Sequence, residues 1–222
     1  MVFNLKELRN KLANTDVLFF DLDGTLIDTE PLYFRFWKEA TEFYGRELSD
    51  TEALSMRSRD NQSARAFLTE ISNGVLDYDL VKAKRIELMS NYLKVYPIQL
   101  KPFAKEFVRK MKKLGKTIYI VTSNTVDKAA RIIKEIGFAS FVDNIISAKD
   151  VERGKPHPDV YLKAAEVANV DIKGVIVFED SPNGLISSFD SGAYTVMIED
   201  IDEYNPSMNY VHAAIKSFKD II

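Results

Sequence analysis

The chain has no cysteine in its 222 residues. That one absence excludes disulfides, thiolate metal sites and cysteine nucleophiles together. The chain also lacks any apolar run long enough to cross a bilayer, which needs about 20 consecutive residues. Neither sign of charge is in large excess: 30 Lys and Arg stand against 33 Asp and Glu, a formal net charge of -3. Such a balance gives no general attraction to nucleic acid or to an anionic membrane. The opening Met1-Val2-Phe3-Asn4-Leu5-Lys6-Glu7-Leu8 has mixed charge and no apolar secretion core, so a cytoplasmic protein is expected. Internal repeats and low-complexity segments are also missing. What remains, 46% hydrophobic and 28% charged residues, is the composition of an ordinary globular protein. It has room for one sizeable domain or a core plus a small inserted one.

The stretch Val17-Leu18-Phe19-Phe20-Asp21-Leu22-Asp23-Gly24-Thr25-Leu26 organises the rest. Four consecutive apolar residues read as a strand buried on both faces of a parallel sheet. The run ends in two acids one residue apart, which in extended chain point to the same side. They stand past the carboxyl end of a strand, where ligands of open α/β sheets bind. Two carboxylates that close need a shared proton or a metal ion between them. Gly24 permits a sharp turn and a close approach of backbone.

Periodicity divides the remainder. Leu5, Leu8 and Leu12 mark a short helix. Tyr33, Phe36, Trp37, Ala40, Phe43 and Tyr44 form a broad apolar stripe on a helix ended by Gly45, read as core or domain interface. Ser49 and Glu52 have capping-box spacing, and helices follow over 62–71 and 78–95. No strand is expected between Asp28 and Tyr96. The chain then alternates. A helix with Phe103, Phe107, Met111 and Leu114 inward precedes the strand 117–121. A helix with Ala129, Ile132, Ile133 and Ile136 precedes the strand 144–147. Pro158 opens a helix carrying Tyr161, Ala164, Ala165 and Ala168, and the strand 174–178 follows. Ser181 and Pro182 start the next helix, through Leu185, Ile186 and Phe189. Segments 194–198 and 210–213 are closing strands. Alternation of this kind means an α/β fold, a Rossmann-like three-layer core around a central parallel sheet. The core is expected over 1–28 and 97–222, with an all-helical insertion over 29–96. The Lys- and Arg-rich helix between Lys101 and Lys116 reads as a solvated surface.

Polar residues follow other strands: Thr122-Ser123-Asn124, Glu179-Asp180 and, between them, Lys155-Pro156-His157-Pro158-Asp159. In a parallel sheet these ends share one edge. Acids there suit Mg²⁺, a hard cation with oxygen ligands, while Thr122 and Lys155 can hold an anion. Phosphoryl transfer makes that demand.

Asp21-Leu22-Asp23-Gly24-Thr25, Thr122, Lys155 and Glu179-Asp180 resemble, in order and spacing, the four motifs of the haloacid dehalogenase superfamily. The chain is similar to the branch with a helical cap, which includes sugar-phosphate phosphatases and β-phosphoglucomutase. The resemblance implies a Mg²⁺-dependent phosphatase of small phosphorylated metabolites, with Asp21 as nucleophile and Asp23 as general acid and base. It places Mg²⁺ on the side chains of Asp21 and Asp180 and the backbone carbonyl of Asp23, with Glu179 as a supporting or additional ligand, and has Thr25 position Asp23 or support the turn. Thr122, Ser123, Asn124 and Lys155 would hold the phosphoryl group under a closing cap. Asp23 favours a phosphate ester over a carbon–halogen bond, because a halide leaves without a proton. Neither nucleic acid nor membrane is an expected partner, and a monomer or weak dimer is expected.

The chain departs from the mutase pattern at two places. Tyr33 stands where a histidine belongs. The cap loop that often reads Gly-x-x-Arg is Met56-Arg57-Ser58-Arg59-Asp60, keeping Arg59 as the candidate contact for a substrate anion. Both changes weaken the alternative of a phosphomutase, and the intact acids with Thr122 and Lys155 argue against the alternative of a catalytically silent phosphometabolite-binding module. Lys84 reads as a solvated lysine, His157 as structuring a turn and His212 as part of a strand.

Overall fold

The computed structural model describes residues 5–56, 59 and 61–222. The chain forms two compact units, Met1–Ile27 with Leu100–Ile222, and Asp28–Gln99.

The first unit is built on a six-stranded sheet of β1 (Val17–Phe20), β2 (Thr117–Thr122), β3 (Asn144–Ser147), β4 (Val175–Glu179), β5 (Tyr194–Ile198) and β6 (Ala213–Ile215). The strand order is β3-β2-β1-β4-β5-β6 and every pairing is parallel. β1 lies between β2 and β4, so all four of its residues are buried, as its unbroken apolar run requires. Alternate side chains serve opposite faces. Phe20 stacks on Phe178 at 4.8 Å between ring centres and meets Phe107 and Phe218 on one face. Val17 and Phe19 join Tyr161, Ala164 and Val177 in the core of the other. The sheet is therefore the middle layer of three.

Helices α1 (Leu5–Ala13), α6 (Ala104–Lys113), α7 (Val126–Glu135), α8 (Asp159–Ala168) and α9 (Pro182–Ser191) flank it. α6 presents Ala104, Phe107, Val108 and Met111 inward, whereas Phe103 is 42% and Leu114 60% exposed. The expected stripe overshot both ends because Phe103, with φ 63°, is the left-handed residue before the helix and Leu114 is its cap. The last strand lies later than expected, at 213–215 rather than 210–213. His212 precedes it: Nδ1 accepts the Thr195 amide at 3.0 Å, and the ring stacks on Phe189 and Tyr194. The His212 amide also donates to the Thr195 carbonyl at 3.0 Å, and regular pairing starts one residue later, at Ala213 opposite Val196.

The second unit contains α2 (Glu30–Phe43), α3 (Asp50–Ser55), α4 (Asn61–Ile71) and α5 (Tyr78–Leu93), with no strand among its described residues. Trp37, Ala40, Leu68, Tyr78 and Val81 are in its core. The Arg85 guanidinium lies 4.9 Å from the ring centres of both Tyr33 and Trp37. Of the aromatic stripe on α2, Phe36, Trp37 and Ala40 are buried, while Phe43 and Tyr44 are exposed. Ser49 and Glu52 form the capping box at the start of α3.

Candidate active site

The site is assembled by register. Phe20 pairs with Ile120 on one side and Phe178 on the other. Asp21, Val121 and Glu179 therefore form the next row, and the Asp21 amide still donates to the Phe178 carbonyl. Three neighbouring strands deliver Asp21, Thr122 and Glu179-Asp180 to one sheet edge. The loop before α8 brings Lys155 to the same place, where Nζ donates to Asp21 Oδ1 at 2.5 Å, Glu179 Oε1 at 2.6 Å and the Val121 carbonyl at 3.1 Å.

Burial sets the electrostatics. Asp21, Glu179 and Asp180 are all buried. Removing an ion from water costs on the order of several kcal/mol even after relaxation, so each charge here must be met. Both Glu179 oxygens are: Oε1 takes Lys155 and the Tyr161 hydroxyl, and Oε2 takes the Asp180 and Ser181 amides and Ser181 Oγ. Burial, together with the charges of Glu179 and Asp23, pushes Asp21 up to about 8 against the pull of Lys155. Burial works against the Lys155 ammonium, yet Asp21 and Glu179 outweigh it and hold Lys155 well above the ordinary lysine value. Burial, and then the Glu179 charge, keep the Tyr161 hydroxyl protonated.

Carboxylate oxygens of Asp21, Glu179 and Asp180 lie within 4.8 Å of one another. Lys155 brings a single positive charge to these three carboxyl groups. An all-oxygen, acid-rich set short of positive charge fits a hard divalent cation. Such an ion would also lower the proton affinity of Asp21. Thr25 Oγ1 donates to Asp180 Oδ1 at 2.9 Å, so Thr25 orients Asp180 rather than Asp23. Two glycines make room for the acids. A Cβ on Gly24, whose φ is +83°, would overlap the Asp180 carboxylate, and one on Gly184 would overlap that of Glu179.

Asp23 is held from the neighbouring strand end. Asn124 Nδ2 donates to Asp23 Oδ2 at 2.5 Å, and the Asn124 amide donates to Thr122 Oγ1 at 3.1 Å. Lys128 donates to Asn124 Oδ1 and Ser147 to the Asn124 carbonyl, each at 2.7 Å. Ser123 is exposed on the same loop. The structure thus joins Asp21, Lys155, Glu179 and Asp180 in one cluster and Asp23, Thr122 and Asn124 in a second beside it on the Asp21 loop.

Arg59 belongs to the helical unit. Its Nε donates to the Ser55 carbonyl at 2.5 Å, and its guanidinium lies 4.3 Å from the Phe67 ring centre. Arg57, Ser58 and Asp60 of the same loop lie outside the described residues. Lys84 pairs with Glu87 at 3.1 Å. Sequence reasoning did not single out Tyr161, Ser147 or Lys128 as site residues. Tyr161 and Ser147 read as parts of an apolar helix and strand, and the sequence pattern gives Lys128 no role. For Tyr161 the usable signal was a hydroxyl on a buried position of the first turn after Lys155.

The sequence model of the haloacid dehalogenase-like hydrolases matches residues 15–189, which include every strand-end residue of this cluster. The chain belongs to that family. Within it, the chain is 28% identical over 181 residues to a phosphorylated carbohydrates phosphatase of Thermotoga maritima, covering 80% of this chain and 82% of that protein. It is 27% identical over 202 residues to hexitol phosphatase A of Escherichia coli K12, covering 91% of each. Among solved structures, a haloacid dehalogenase hydrolase of family IA, variant 3, from Entamoeba histolytica superposes with a TM-score of 0.78 at 28% identity, over 93% of this chain and 95% of that one. A β-phosphoglucomutase from Clostridium difficile superposes at 0.76 with 16% identity, over 94% and 93%. At that identity the likeness speaks for the fold alone.

Proposed function

We propose that this hydrolase is a Mg²⁺-dependent phosphatase of small phosphomonoesters, sugar or polyol phosphates being the favoured class, acting through an aspartyl-phosphate on Asp21. The observation that carries the reading is the buried Asp21–Lys155–Glu179–Asp180 cluster, with Asp23 on the same loop. The names of the Thermotoga and Escherichia relatives support the substrate class.

Asp21 and Asp180 side chains and the Asp23 backbone carbonyl would hold the cation, with Glu179 supporting through Lys155 or as a further ligand. When bound, the cation supplies charge neutralisation at the phosphoryl oxygens. The chain's residues do the rest. Lys155 and Thr122 hold the phosphoryl oxygens while a carboxylate oxygen of Asp21 attacks phosphorus. The bond from phosphorus to the ester oxygen breaks, and Asp23 gives that oxygen its proton. Asp23, now a carboxylate, takes a proton from the water that attacks phosphorus in the second half. Inorganic phosphate leaves and Asp21 is restored. The Asn124 amide fixes the Asp23 carboxyl for both transfers. In this reading the helical unit, Asp28–Gln99, would serve as a lid that limits water at the acyl-phosphate, and Arg59 would contact the substrate's distal part.

The test is phosphate release from a panel of sugar, polyol and other phosphomonoesters with Mg²⁺, run beside Asp21→Asn. Saturable release by the wild type and none by the variant is expected. Absence of release, or a variant equal to the wild type, overturns the reading. Isomerised sugar phosphate that needs a bisphosphate primer, with little free phosphate, would mean a mutase instead. Tight binding of phosphorylated ligand without turnover would mean a binding module.

A further inference from the structure

We propose that Tyr161 is a positioning residue of the active site, which sets the place of the Lys155 ammonium through Glu179. The inference rests on the reading of Lys155 as the cation that meets the transferred phosphoryl group.

Tyr161 is fully buried on the first turn of α8, six residues after Lys155. It touches the Lys155–Glu179 pair twice. Its hydroxyl donates to Glu179 Oε1 at 3.0 Å, the oxygen that accepts Lys155 at 2.6 Å. Its ring centre lies 5.1 Å from Lys155 Nζ, within cation–π range. The terminal torsion of a glutamate is a broad, roughly two-fold rotor, so its plane is set by donors. On the Oε2 side those donors are Asp180 and Ser181, the next two residues of the chain. On the Oε1 side, Tyr161 is the donor on another element besides Lys155 itself. The tyrosine therefore holds Oε1 independently of the ammonium it serves. A short segment then fixes both the lysine and the group that orients the lysine's anchor. The four-carbon lysine stem is flexible, and such a side chain is useful for phosphoryl placement only if its head is confined.

Tyr161→Phe removes the hydroxyl and keeps the ring. Loss of one buried hydrogen bond to a charged group is expected to lower kcat/KM by roughly tenfold, and orthovanadate affinity by the same factor, as for a group acting on the transition state. Tyr119→Phe serves as control. Tyr119 stacks on Phe19 in the same core, with ring centres 5.7 Å apart, and its variant is expected to keep wild-type values. A crystal structure of Tyr161→Phe gives a readout independent of turnover: Lys155 Nζ is expected to shift by more than about 0.5 Å, the tolerance of a preorganised site. Unchanged kcat/KM and vanadate affinity with only a lower melting temperature would overturn the proposal. So would Lys155 superposing on its wild-type position. If the wild type hydrolyses no ester, the phosphatase reading fails by itself, and the Lys155 position still decides the role of Tyr161.

Discussion

Asn124 donates its side-chain amide to Asp23 and its own carbonyl and amide oxygens are both engaged, by Ser147 and Lys128. A side chain tied at so many points is an orienting group, and the group it orients is the proposed general acid. Asn124→Ala is expected to lower kcat about tenfold on alkyl phosphates, within the range for positioned acid–base groups. On an aryl ester with an acidic phenol leaving group the loss should be much smaller, since that oxygen leaves without help. Measuring kcat over a series of leaving groups checks this; equal losses across the series would separate Asn124 from proton transfer. The glycine at 184 makes a second case. It is the third residue of α9, where alanine would ordinarily favour helix by about 1 kcal/mol, yet its added Cβ would overlap Glu179. Gly184→Ala is therefore expected to destabilise by about 1–3 kcal/mol, the cost of overpacking, read from the urea midpoint. An unchanged or raised midpoint would mean that Glu179 moves aside freely.

At the scale of elements, the start of α3 shows how a local sequence signal becomes a measurable pH effect. Glu52 accepts the Arg46 guanidinium at 2.6 Å and the Ser49 amide at 2.8 Å. The Arg46 hydrogen bond first, then the Ser49 amide, hold its carboxyl down at about 2, below the ordinary 4.5. A depressed folded-state pKa contributes stability above the unfolded value and loses it as pH falls through the folded one. The contribution is thus full above about pH 4.5 and fades toward pH 2. Glu52→Gln should be less stable than wild type at pH 7, with the difference narrowing below pH 4.5. Urea midpoints of both proteins across that range test it, and a gap independent of pH would refute the assignment. The capping box was legible because Ser49 and Glu52 act within one turn. α6 was legible in its middle and not at its ends, since the left-handed backbone at Phe103 depends on the turn around it. The last strand was displaced because His212 bonds Thr195, a residue distant in sequence whose position no local pattern contains.

For the molecule as a whole, the decisive feature is that like charges are gathered at one edge of the sheet. A cation that binds this folded cluster and not the unfolded chain stabilises by mass action, about 2.7 kcal/mol at a hundred times its dissociation constant. For a chain of this size that corresponds to a melting temperature raised by about 5 °C or more. Mg²⁺ after chelator treatment should therefore raise the melting temperature of the wild type, with little effect on Asp180→Asn. Thr25→Val should need roughly tenfold more Mg²⁺ for the same rise, the scale of losing a residue that orients a ligand. A melting temperature indifferent to divalent ions would count against a metal at this site.

The chain by itself determined which residues could carry the chemistry and which segments alternate. Apolar periodicity and turn residues act over a few positions, and the strand ends at Asp21, Thr122 and Asp180 are written in such short patterns. Only the folded sheet decided how those ends are wired. The order β3-β2-β1-β4-β5-β6 sets β1 between its two partners, and α8 turns Tyr161 back onto Glu179. Register and burial create the hydrogen bonds of Thr25 to Asp180 and Asn124 to Asp23 between residues far apart in the chain. Such contacts arise from three-dimensional packing, which no window of neighbouring residues encodes.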